Sequence, residues 1–123
     1  IKDIQKGKML KNSIKLDNIR MNVTETDANG LVNADTIFEF TQDGSMVTAK
    51  YAGGGIQTGF LVGVLDGNSL TFRYAQLQTD GKLDGGQSVC EVSKTEDGRI
   101  RLVEHFQWES RPGTGINIFE EIR

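Results

Sequence analysis

Three side chains able to do chemistry fall where strand alternation predicts an apolar surface. Glu104 lies in the row Ile100, Leu102, Glu104, Phe106, Trp108 of the stretch RIRLVEHFQWE. Strand side chains alternate with period two, so these five share one face and Arg101, Val103, His105, Gln107 and Glu109 share the other. Glu120 lies in the row Ile116, Ile118, Glu120, Ile122, and Gln76 in the row Leu70, Phe72, Tyr74, Gln76. A carboxylate among apolar side chains is costly unless it is paired or protonated. The strands of Glu104 and Glu120 are joined by one hairpin, so the two acids are expected to face each other. Like charges brought together under burial raise at least one pKa, the arrangement that acid–base chemistry uses. The alternative is that both acids sit at a wet rim, or tie structurally to Tyr74, Gln76 or Arg73.

Other chemistries find less support. One His and one Cys cannot build an ordinary zinc site. Asp80, Asp84 and Asp97 do not follow calcium-loop spacing, so neither a metal nor another cofactor is expected. Cys90 has no His near it in sequence and reads as inert packing. His105 falls on the polar face of its strand, and Arg73 reads as a surface charge. The run Gly53-Gly54-Gly55 is followed by Ile-Gln-Thr-Gly rather than the Lys-Ser/Thr of a phosphate loop. It is expected to form a corner or bulge. The aromatics alternate to the side opposite most Lys and Arg, so no nucleic-acid partner is expected.

The elements that must position these residues are short strands separated by Gly turns. Leu16–Thr26, Val32–Thr41, Met46–Ala52, Phe60–Leu65, Leu70–Leu77, Ser88–Lys94, Arg99–Glu109 and Gly115–Ile122 alternate or are continuously apolar. Asn29-Gly30, Asp43-Gly44, Asp66-Gly67, Asp97-Gly98 and Pro112-Gly113 punctuate them, and Thr79–Gly86 reads as a longer loop or a short ribbon. No stretch keeps helical periodicity over a dozen residues. Hairpins in series make a meander, and about eight strands can close into an antiparallel up-and-down β-barrel that has no edges. Such a barrel is filled by side chains or holds one small ligand. A two-sheet sandwich is the competing architecture. Residues 1–15, rich in Lys, read as an N-terminal arm or short helix ahead of a single domain over 16–123.

Composition agrees with an all-β domain of this size. The chain has 123 residues, 15 Gly and 1 Pro. Its net charge of −3 is ordinary for solubility. No apolar run approaches the roughly 18 residues of a membrane-spanning helix, so no membrane partner is expected. The single cysteine allows no internal disulfide and favours a reducing compartment, which points to the cytoplasm. No signal peptide is visible, although the chain starts at Ile1 and leaves room for an upstream piece.

The run YAGGGIQTGFLVGVLDGNSLTFRYAQLQTDGKLDGG, then DGRIRLVEHFQWES and INIFEEI, resembles a family of small bacterial proteins of unknown function, and ADTIFEF matches as well. The likeness covers about residues 18–123. Some members of that family carry the label N-acetylglutamate synthase, an acetyltransferase. The resemblance implies a lipocalin- or avidin-like barrel. The residues themselves lead to a small apolar or amphipathic ligand inside the barrel, lined by Tyr51, Phe72, Tyr74, Gln76, Glu104, Phe106, Trp108 and Glu120. An enzyme using Glu104 and Glu120, and a module that dimerises through an exposed sheet face, are the alternatives.

Overall fold

The computed structural model describes residues 14–27 and 31–123. The arm expected over 1–15 and the turn at Asn29-Gly30 fall largely or wholly outside them. Eight strands run in sequence: β1 (Ile19–Glu25), β2 (Ile37–Asp43), β3 (Met46–Gly53), β4 (Ile56–Asp66), β5 (Ser69–Gln78), β6 (Leu83–Lys94), β7 (Ile100–Trp108) and β8 (Thr114–Glu121). Each pairs antiparallel with the next, and β8 closes onto β1, giving a closed barrel. The sandwich alternative is thereby set aside.

Local chemistry sets most of the meander. Two Asp-Gly hairpins turn through two residues, between Asp43 and Met46 and between Asp66 and Ser69. Gly44 and Gly67 open these loops at φ +61° and +60°, where a Cβ would be strained. The triple glycine is a corner, as expected. The register slips between Tyr51 and Gly53, and a Cβ on Gly53 would lie 2.1 Å from the Asp35 carbonyl oxygen.

Besides β1 starting at Ile19 rather than Leu16 and β4 at Ile56 rather than Phe60, three differences from expectation bear on the site. β2 starts at Ile37, not Val32. Thr36 donates its hydroxyl to the Gly53 carbonyl at 3.0 Å and accepts from the Asn33 amide at 3.0 Å. Asn33 Oδ1 accepts from the Asp35 amide. These side chain–backbone bonds divert residues 33–36 from the sheet ladder. β6 starts at Leu83, so the second Asp-Gly of the expected loop lies inside a strand, with Asp84, Gly85 and Gly86 opposite Gln76, Ala75 and Tyr74.

The third difference is the facing of β8. Asn117 and Phe119 are buried, at 4% and 2% exposure, whereas Ile116 is 46% exposed. The row expected to face inward therefore faces outward. Register explains it: Leu102, Glu104 and Phe106 of β7 sit opposite Phe119, Asn117 and Gly115. A Cβ on Gly115 would meet the Phe106 ring at 2.5 Å, and Phe119 packs edge-on to Phe38 at 4.6 Å. Moving β8 by one residue would put a branched side chain under Phe106.

One end of the interior is aliphatic. Leu16, Val47, Leu65, Leu70, Val92 and Ile100 are buried there. Leu16 lies just ahead of β1, its amide donating to Gln42 Oε1 at 2.7 Å.

Candidate ligand cavity

The other end is built of aromatic rings laid on glycines. Across the strands, Tyr51 sits opposite Gly59, Phe72 opposite Gly63, Tyr74 opposite Gly86 and Phe106 opposite Gly115. A Cβ on Gly59 would come 2.3 Å from the Tyr51 ring, and one on Gly86 would come 2.7 Å from the Tyr74 hydroxyl. The missing side chain on one strand is the space into which the ring on its neighbour folds. Sequence reading treated most glycines as turn formers and missed this role.

These rings border a cavity of about 30 Å³, room for about two water-sized groups. Phe38, Tyr51, Phe72, Tyr74, Phe106, Trp108 and Phe119 supply its aromatic wall, Gln76, Glu104 and Asn117 its polar groups, and Leu61 an aliphatic part of its lining. Leu31 and Val32, from the segment ahead of β2, also line it. Phe38 stacks on Tyr51 at 4.4 Å, and Trp108 meets Tyr74 and Phe106 edge-on at 5.8 and 5.7 Å. All the aromatic positions proposed from sequence converge here, together with Gln76 and Glu104.

Glu104 is 5% exposed. Its Oε2 accepts from the Ser88 hydroxyl at 2.5 Å and its Oε1 from Asn117 Nδ2 at 2.9 Å. Asn117 Oδ1 in turn accepts from the Thr26 hydroxyl at 2.7 Å. Burial pushes the Glu104 carboxyl above its ordinary range, and the two hydrogen bonds pull it partly back. Tyr51 donates its hydroxyl to Gln76 Oε1 at 2.7 Å, while the buried Gln76 Nε2 has no partner among the described residues. Burial, and then the charge of Glu104, push the Tyr51 and Tyr74 phenols far up, so both remain neutral donors. Cys90 lies directly opposite Glu104 on β6. Burial raises its thiol pKa well above the ordinary value, which leaves it a packing group rather than a nucleophile.

Glu120 is not part of this site. It stands opposite Arg101 on the outer face, with Arg101 Nε 3.9 Å from its Oε2. The expected Glu104–Glu120 acid pair does not form, because a hairpin brings acids together only when register puts them on one face. Ser88 and Asn117, which sequence reading passed over, are the real partners of Glu104. Polar residues on the inner rows of neighbouring strands were the available signal, but using it requires the register.

At the rim, Arg111 lies over the Trp108 ring, its Cζ 4.2 Å from the centroid. Its Nε is 3.8 Å from Asp84 Oδ2. Asp84 also accepts from Ser110 at 2.7 Å and from Gln78. Arg73 grips Glu109 with two bonds of 2.8 and 2.9 Å, both side chains exposed. No helix occurs among the described residues, so none offers the helix start that cradles the pyrophosphate of coenzyme A in many transferases.

Residues 14–122 match the profile of a family described as avidin-like protein. No curated protein and no solved structure matches the chain.

Proposed function

The chain belongs to the avidin-like family, and on that premise we propose that it binds a small apolar or amphipathic ligand at the aromatic end of its barrel. The observation that carries this reading is the convergence of seven rings and three polar side chains on one cavity, while the opposite end is packed with aliphatic groups. Ligand sites combine an apolar wall with a few polar groups that fix orientation. Glu104, Gln76 and Asn117 are those groups here. A ligand larger than a few atoms enters by displacing Leu31 and Val32, lining side chains that come from a loop rather than from the sheet. Trp108 is the only tryptophan of the chain, so its fluorescence reports on this cavity alone. Titration with small molecules is expected to give a saturable change. Indifference to every class of compound would remove the proposal.

A second reading concerns the outer surface. Met46, Phe60, Val62, Val64 and Val89 are each at least half exposed and lie on the outer side of β3–β6, with Met46 directly opposite Val64. Contiguous exposed apolar surface of this kind marks interaction sites. We propose a second copy of the chain as its partner, through a self-complementary twofold contact. Light scattering is expected to give the mass of a dimer, and Val62→Asp to give that of a monomer.

A further inference from the structure

We propose that the ligand of this cavity is a small organic cation, an amine whose ammonium N–H groups bond Glu104 and whose carbon skeleton lies among the rings. This deepens the reading above and rests on it. Glu104 is buried, and no Lys, Arg or His forms an ion pair with it among the described residues. Its hydrogen bonds come only from the neutral donors Ser88 and Asn117. A carboxylate offers about four acceptor sites, and these two bonds use half of them. Aromatic faces attract cations, most strongly where water is excluded. Tyr51, Phe72, Tyr74, Phe106 and Trp108 border the same cavity as Glu104. The rim already shows such a contact in Arg111 over Trp108.

Gln76 Nε2 narrows the class further. It is a buried donor on the cavity wall without a hydrogen-bond partner among the described residues, so the ligand that satisfies it carries an acceptor oxygen as well as its ammonium group. An amino alcohol has both features. The rim charges Arg111 and Arg73 are matched by Asp84 and Glu109, which leaves Glu104 as the charge the ligand meets. The titratable groups around Glu104 are Tyr51 and Tyr74 across the interior, Cys90 opposite it on β6 and His105 next to it on the outer side of β7. The first three stay neutral. Cation binding therefore releases a proton from Glu104 wherever it is protonated beforehand, and affinity tightens as pH rises.

The test compares probes of one size and three charges. Ethanolamine, ethylene glycol and glycolate form one set, and 2-phenylethylamine, 2-phenylethanol and phenylacetate the other. Each is titrated into the full chain while Trp108 fluorescence and the indole N–H resonance are followed. The amines are expected to bind at least about tenfold more tightly than the matched alcohols and acids, the scale of one charge-assisted hydrogen bond. Glu104→Gln, which keeps the side-chain size, is expected to abolish that preference. Alcohols binding as tightly as amines would overturn the cation assignment and leave the cavity reading standing. So would amine affinity that survives Glu104→Gln. Silence from all six probes would overturn both. The wild-type comparison is decisive even if the variant fails to fold.

Discussion

The two ends of the barrel share eight strands and differ in what fills them. At the end where Leu16 is buried, aliphatic side chains such as Leu65, Leu70 and Val92 pack together, and the partly buried Gln42 is tied off by the Leu16 amide. At the other end large rings lie over glycines, and Glu104, Asn117, Ser88 and Gln76 are buried beside them. Aliphatic packing maximises contacts and buried area, and so carries stability. Rings on glycines leave flat walls and a residual gap, and the buried acid costs free energy that only hydrogen bonds offset. One end holds the fold together. The other gives up stability, the exchange expected of the binding surface proposed there.

Four substitutions break or sharpen that contrast, in falling order of effect. Leu70→Ala, at the aliphatic end, is expected to cost about 2–5 kcal/mol in urea unfolding, with Trp108 emission unchanged in the folded state. A cost below about 1 kcal/mol would mean that this end is not close-packed. Gly59→Ala places a methyl group against the Tyr51 ring. It is expected to cost about 1–3 kcal/mol by overpacking and to disturb any ligand titration as well. A neutral result would show that the ring does not need its glycine.

Glu104→Gln goes the other way. Glutamine can accept from Asn117 through its one oxygen and donate its amide N–H to the Ser88 hydroxyl, reversing that bond, without charge, so stability is expected to rise by about 1 kcal/mol near pH 8, or roughly 4 °C in Tm. The folded-state pKa of Glu104 is raised from its ordinary 4.5. The wild type therefore binds its proton more tightly when folded, and loses stability as pH climbs from the ordinary carboxylate range through the raised value. The gain from glutamine should vanish below about pH 4, where both states of the wild type are protonated. A gain independent of pH would show that the acid is not titrating. Arg73→Ala breaks only the exposed pair with Glu109, and about 0.2–1 kcal/mol is expected, less at high salt. A larger loss would make the rim part of the structural core.

Much of the architecture could be read along the chain. Asp-Gly pairs and the triple glycine located turns because positive φ is a property of single residues. Alternation placed Tyr51, Phe72, Tyr74, Gln76, Glu104, Phe106 and Trp108 on inner faces because β3, β5 and β7 each carry one apolar and one polar row. β8 misled because both of its rows are apolar in part. Ile116 and Ile118 look like core residues, and nothing local reveals that Phe106 needs Gly115 beneath it. The start of β2 misled because Val32 and Ala34 suit a strand, while Thr36 and Asn33 bond the backbone elsewhere.

The sequence by itself determined the number of strands, most of their turns and the aromatic character of one interior face, since each follows from a residue and its near neighbours. Only the tertiary structure decided which partners meet Glu104, that Glu120 faces Arg101 on the outside, and that Leu31 and Val32 join the lining of the cavity. Those outcomes depend on register between distant strands. A one-residue slip reverses every side chain, and the contacts that prevent it, Phe106 on Gly115 and Phe119 against Phe38, exist only once the barrel has closed.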